Sequence, residues 1–216
     1  MKAVALAVLF LSLIGCATTK NVAIDKAVAP TLKGKTVTLV EHKTTSFMAL
    51  TAGKGMFAMI GVAAAIESGN KLVKECNIED PASDISLNLA QELNSRYGLI
   101  NKGQSNQVVD SKEVQKITKL AQGSDYTLDV MTTGWGFIYG GFKLSDYHVN
   151  YSGNFRLIDV AKSKIISEGI CIYDTKKAGK PAVKYDDLLE NNAAYIKQCL
   201  EEAATFCTDK ISNELF

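Results

Sequence analysis

Apolar and polar positions alternate along KTVTLVEH, residues 35–42. Val37 and Leu39, followed by Glu41, share one side and Thr38 and Val40 the other, which predicts a strand. In EDPASDISLNLAQELNSRYGL (79–99), Ile85, Leu89, Leu93 and Tyr97 recur every four residues, the stripe of an amphipathic helix. Asp80 and Pro81 mark its start and Gly98 its end. Residues 99–109 predict a weak strand with a turn at Gly103. DSKEVQKITKLAQG (110–123) predicts a helix opened by Asp110 and Glu113 at capping-box spacing and stopped by Gly123, with Val114, Ile117, Leu120 and Ala121 inward.

Three stretches rich in β-branched and aromatic residues follow at 125–140, 147–160 and 163–174. They predict long strands that bend at Gly134, Gly136 or Gly153. The short link DVAKSK suits a hairpin between the last two. Residues 185–216 hold no Gly or Pro, and Leu188, Ile196, Cys199, Ala203, Phe206 and Cys207 fall on one broad face, predicting a long C-terminal helix. The order is β-α-α-β-α-β-β-β-α. The expected fold is α/β (α+β): a mixed sheet of about four or five strands with helices packed on it.

Two stretches do not follow a simple two-sided pattern. Phe47–Ile66, within an apolar insert at 46–69, carries one charge, Lys54. It is expected either as a buried helix that uses small Gly and Ala residues for close packing, or as a contact for the bilayer or another subunit. Met56, Phe57, Met59 and Ile60 are the candidate contact residues. Its twelve uncharged residues at 55–66 are too few to cross a bilayer as one helix. In GWGFIYGGF (134–142), Trp135, Phe137 and Tyr139 share one face, with glycines opposite. These aromatics are either core or a platform for a partner.

The first residues add an address. Lys2 precedes an apolar run too short to span a bilayer, and polar Thr18, Thr19 and Lys20 follow, as in a secretory signal. Leu13-Ile14-Gly15-Cys16 resembles the bacterial lipobox. The resemblance implies cleavage after residue 15 and a covalent lipid on Cys16, which needs more than one acyl chain for stable anchoring. Ala17, where many inner-membrane lipoproteins carry Asp, favours the outer membrane, periplasmic side. Residues 1–15 are then a signal peptide, 16–35 a flexible tether, and 36–216 one domain.

Composition narrows the partners. Against 24 Lys and Arg stand 23 Asp and Glu, and loss of Lys2 would leave 23 of each, so no basic footprint for nucleic acid is present. Beyond Cys16 there are four cysteines: Cys76, Cys171, Cys199 and Cys207. An oxidising compartment favours disulfides between them. Cys199 and Cys207 lie about 12 Å apart along one helix and cannot pair with each other, which leaves two connectivities. No cysteine pair has zinc-ligand spacing, and His42 and His148 are distant in sequence, so no metal or other cofactor is expected.

TGWGFIY (133–139), YHVNYSGNFRLID (147–159), Cys171, YDDLL (185–189), Lys197 and Cys207, with DPASDI at 80–85, resemble a family of bacterial lipoproteins that carries no established reaction. That resemblance favours Cys171 with Cys207, leaving Cys76 with Cys199 as a less well marked second bridge. The element order is more loosely similar to penicillin-binding-protein activator and curli secretion lipoproteins. A fold does not imply a function.

Catalytic motifs are weak. Residues 150–154 do not read GxSxG, and no P-loop surrounds Lys54. Asp186, Asp187 and Glu190 suit the start of a helix without an acid-base role. The expectation is a non-enzymatic scaffold or accessory lipoprotein that binds an envelope protein or peptidoglycan. A homo-oligomeric, membrane-associated assembly through 47–66 is the alternative, and a periplasmic hydrolase the third reading.

Overall fold

The computed structural model describes residues 21–55, 58–140 and 143–216. The sheet is built on β4 (Tyr126–Gly140), whose first half pairs in parallel with β1 (Thr36–His42) and whose second half pairs in parallel with β2 (Phe47–Leu50). β1 and β2 thus lie end to end along one edge of β4, interrupted at 43–46. β3 (Ile100–Val109) adds in parallel outside β1, while β5 (Lys143–Asp159) and β6 (Lys164–Asp174) add antiparallel on the other side. The sheet has six strands, with main order β3-β1-β4-β5-β6.

Helices cover the two faces unequally. α3 (Ala82–Tyr97) and α5 (Tyr185–Leu215) lie over the larger core, formed by Leu39, Leu128, Tyr151, Leu157 and their neighbours. Ile85, Leu89 and Leu93 are the buried stripe of α3, and Gly98 ends it with φ at +69°. The short α4 (Val114–Leu120) covers a smaller cluster, Val40, Val109, Ile117 and Ile158, on the opposite face. α1 (Ala52–Gly55) is a single turn, and α2 (Ala58–Cys76) runs back along β2.

Four expectations change. First, β2 emerges from what the pattern presents as one apolar insert. Second, α5 is not continuous: Asn191, Asn192 and Ala193 all have positive φ. Asparagine tolerates the left-handed region better than most residues, so the kink falls at an Asn pair. Third, Phe206 is 44% exposed instead of inward, its ring tilted against Tyr173 at 5.6 Å.

Fourth, most of the expected tether is docked. Val22 bridges Glu168 of β6, the Ile24 amide donates to the Leu215 carbonyl at 2.9 Å, and Leu32 is fully buried. Val22 adds to the open edge of β6, Ile24 reaches the end of α5 and Leu32 packs beside α3, and burial of Ile24 and Leu32 outweighs chain freedom there. Cys16 and the signal segment lie outside the described residues.

Candidate functional site

The apolar insert folds back on itself at one end of the sheet. Phe47 and Ala49 point into the core. α2 then packs on the α1 turn and on β2 through a stripe of small residues, Gly61, Ala65 and Gly69, all buried and four apart. A methyl group at Gly69 would stand 2.1 Å from the Phe47 carbonyl oxygen, and one at Gly61 would stand 1.6 Å from that of Lys54. Only glycine allows this approach. Lys54 turns its ammonium toward the Ala49 carbonyl at 3.5 Å and onto the Ser68 hydroxyl. Desolvation by burial lowers its pKa, against the opposing pull of Glu67.

The outer face of the first turns of the same helix remains apolar. Met59 is 87% exposed and Ile60 79%, with Val62 and Ala63 exposed beside them. These positions are three and four apart and make one ridge. Next to it, Leu50, Gly55, Met59, Val62 and Tyr139 line an open apolar cavity of about 440 Å³. Met56 and Phe57, the other two residues expected here, lie outside the described residues. No helix among the described residues is long and apolar enough to cross a membrane.

The aromatic strand has the opposite fate. Trp135, Phe137 and Tyr139 do share a face, but Trp135 and Phe137 are 2% and 1% exposed. Trp135 donates its indole N–H to the Thr45 carbonyl at 2.8 Å and meets Phe47 edge to face at 5.0 Å. Phe137 packs likewise on Tyr147 at 5.7 Å. A partner platform is therefore corrected to core at both residues, because β2 and β5 flank them and Phe47 closes over them. Only Tyr139 reaches the apolar cavity. Across the strand, Gly136 at φ +153° lets the Met48 backbone approach, where a side chain would clash.

The cysteines divide. Cys171 of β6 and Cys207 of α5 form a disulfide with a Cα–Cα distance of 5.5 Å. Cys76 and Cys199 are free thiols, so the second expected bridge is absent. Cys199 is buried in the α5 face, where desolvation raises its pKa against the hydrogen bond of Tyr195. Cys76 ends α2, and its carbonyl accepts from Asn192 at 3.3 Å.

The histidines sit apart. His148 faces the Thr175 hydroxyl at 3.4 Å in the outer part of β5. His42, at the end of β1, is bonded through Nε2 to Asp129, whose other oxygen accepts from Arg156 Nε at 2.6 Å. Sequence spacing gave no sign of this trio, since its members are 87 and 27 residues apart. Among the described residues no cluster of His, Cys, Asp and Glu could hold a metal ion.

No protein-family profile and no curated relative matches the chain. Among solved structures it is similar in layout to protein XCC0632 from Xanthomonas campestris (10% identity, 90% of each chain covered, TM-score 0.42). The PelC dodecamer from Paraburkholderia phytofirmans is also similar (12% identity, 92% of this chain and 96% of that one, TM-score 0.37). So is lipoprotein GNA1162 from Neisseria meningitidis (16% identity, 83% and 99%, TM-score 0.32).

Proposed function

We propose that this chain is a lipid-anchored accessory module of the bacterial envelope that works by association and not by catalysis. Its lipid is carried on Cys16, at the periplasmic side of the outer membrane, and its working surface is the apolar apex of β2, α2 and Tyr139. The observation that carries the reading is the exposure of Met59 and Ile60 on a helix whose opposite face is already docked. A rimmed, contiguous apolar patch is the usual mark of an interaction surface.

A second copy of the chain is the partner that fits. The apex holds a projecting ridge beside an apolar cavity, which is the complementarity a self-contact needs. The anchor does not by itself bring the apex to the bilayer. Cys16 lies six residues before docked Val22, a reach of about 20 Å. Val22 stands level with Asp129 across the sheet, ten residues of β4 away from Tyr139, or about 33 Å along the strand.

The test uses the lipidated full chain in mild detergent, with a photocrosslinking residue at position 60. Crosslinks between copies, and a multimer by native mass spectrometry that Met59→Glu with Ile60→Glu converts to monomer, are expected. A wild-type chain that stays monomeric and makes no crosslink to another copy overturns the self-association reading. Crosslinking to one envelope protein instead keeps the accessory role and replaces the partner.

A further inference from the structure

The interruption between β1 and β2 leaves part of the β4 edge open. Val40 pairs with Asp129 and Phe47 with Trp135, but between those pairs the β4 edge at Met131–Thr133 has no ladder partner in β1 or β2. After β1 the chain continues through 43–46 into β2 along the same β4 edge, while after β3 it turns to α4 on the face opposite the larger core. In open α/β sheets the crevice at the carboxyl ends of parallel strands is where ligands are taken. An open cavity of about 490 Å³ occupies it, the size of a sugar-sized molecule's site.

Its lining is hydroxyl-rich, with Thr44, Thr45, Ser111 and Thr133, and carries two cations, Lys43 and Lys112, against one carboxylate, Asp110. Lys43 is loosely paired with Asp110 at 3.7 Å, both side chains being largely exposed. Lys112 is exposed, and no ion pair of its ammonium occurs among the described residues. Its carbonyl accepts from Arg156 Nη1 at 3.0 Å, which holds this loop to the trio beneath. His42 forms the floor. Its side chain is 6% exposed, and Nε2 is taken by Asp129. Nδ1 has no partner among the described residues. Asp129 is charge-balanced by Arg156, whose Nη2 lies 2.5 Å from the same oxygen but off the line of a hydrogen bond.

A second, smaller lobe shares His42, Lys43, Thr44 and Thr132 and reaches the start of α3. There the hydroxyl of Ser86, a residue 4% exposed, is buried with no hydrogen-bond partner. A buried hydroxyl left unpaired costs about 1–3 kcal/mol, and native folds retain few of them. Two carboxyls face this lobe. Glu41 is exposed at its rim, and Asp80 is half-buried, accepting from Thr132 and from the Ala82 amide at 3.0 Å. Burial holds the Asp80 carboxyl above the usual carboxylate range, against those two bonds.

We infer that this crevice is a binding site for a small hydroxylated anion, a sugar acid or sugar phosphate. Its acidic group sits between Lys43 and Lys112, and one of its hydroxyls donates to the free Nδ1 of His42, whose Nε2 proton is taken by Asp129. Its hydroxyls bond the unpaired β4 edge, the threonine wall and Ser86. The buried trio then has a role that hydrophobic residues of like volume could not fill, since buried charge is otherwise poor stabilisation. The site is separate from the apolar apex and stands whether or not copies associate there.

The test is calorimetric titration of the full chain in mild detergent with glucose 6-phosphate, glucuronate and neutral glucose. At least one of the two anions is expected to bind with Kd of about 1 mM or tighter, and glucose about tenfold more weakly or not at all. Which anion binds distinguishes phosphate from carboxylate. Lys112→Glu and Ser86→Ala are each expected to weaken binding about tenfold. Both keep the fold, and Ser86→Ala melts at the same temperature or higher because it removes an unpaired group. Absence of binding by either anion at about 10 mM, or binding unchanged in both variants, overturns the site.

Discussion

Two glycine-rich apolar stretches, 55–62 and 134–139, look alike in composition and end in opposite environments. Residues 134–139 lie in the middle of the sheet, with strands on both edges and Phe47 over the rings of Trp135 and Phe137. Residues 58–62 begin a helix supported on one side only, so Met59 and Ile60 face water. The glycines do the same job in both, letting a backbone come close at Gly136 and Gly61. What differs is the number of layers around them. Apolar content sets how much a segment gains from being covered, and topology sets whether anything covers it.

The comparison breaks first at its buried side. Trp135→Ala removes a packed ring and leaves the Thr45 carbonyl without its donor, and is expected to cost about 3–5 kcal/mol in urea unfolding. A loss under about 1 kcal/mol would show that 134–139 is not core. Reducing the Cys171–Cys207 bond, or changing both residues to Ala, opens a link across 36 residues and is expected to cost about 4 kcal/mol. Thermal melts with and without reductant check it, and Cys199→Ala should leave that reductant dependence intact.

The exposed side predicts the contrary. Met59→Glu with Ile60→Glu should shift the unfolding free energy of a monomeric sample by no more than about 0.5 kcal/mol while abolishing association. The smallest effect lies at the far end of β4. Asp125 accepts from the Thr36 amide at 2.8 Å and from Lys35 at 3.0 Å, contacts that lower its carboxyl to about 2 from 3.8. A depressed carboxylate contributes stability above its unfolded pKa and loses it as pH falls through the folded one. Asp125→Asn should therefore flatten the acid limb of the stability curve between about pH 4 and 2, modestly, because the pair is solvent-screened. An unchanged limb would assign that acid sensitivity elsewhere.

Much of the fold is legible in local pattern. The α3 stripe, its Asp80 and Gly98 boundaries, the β5–β6 hairpin and the Cys171–Cys207 pair all appear as read. The misses share a cause. β2 is four residues inside an apolar run, too short for a period to show. The α5 kink turns on Asn191 and Asn192, which a helix equally accepts on its surface. The docked stretch from Val22 to Leu32 reads as a tether because its partners, Glu168 and Leu215, lie at the other end of the chain. The polar crevice joins His42, Ser86, Lys112, Asp129 and Arg156 from five separate segments.

By itself the sequence determined the periodic elements, the lipobox-like start, the near-neutral charge and the presence of a long uncharged segment. These are properties of near neighbours along the chain, set by side-chain spacing and hydration. Tertiary structure alone decided which of two similar apolar stretches is sealed, that Cys76 and Cys199 stay unbridged, and where buried charge surfaces. Those outcomes depend on which distant segment arrives to cover a face, and nothing within a few residues encodes the arrival.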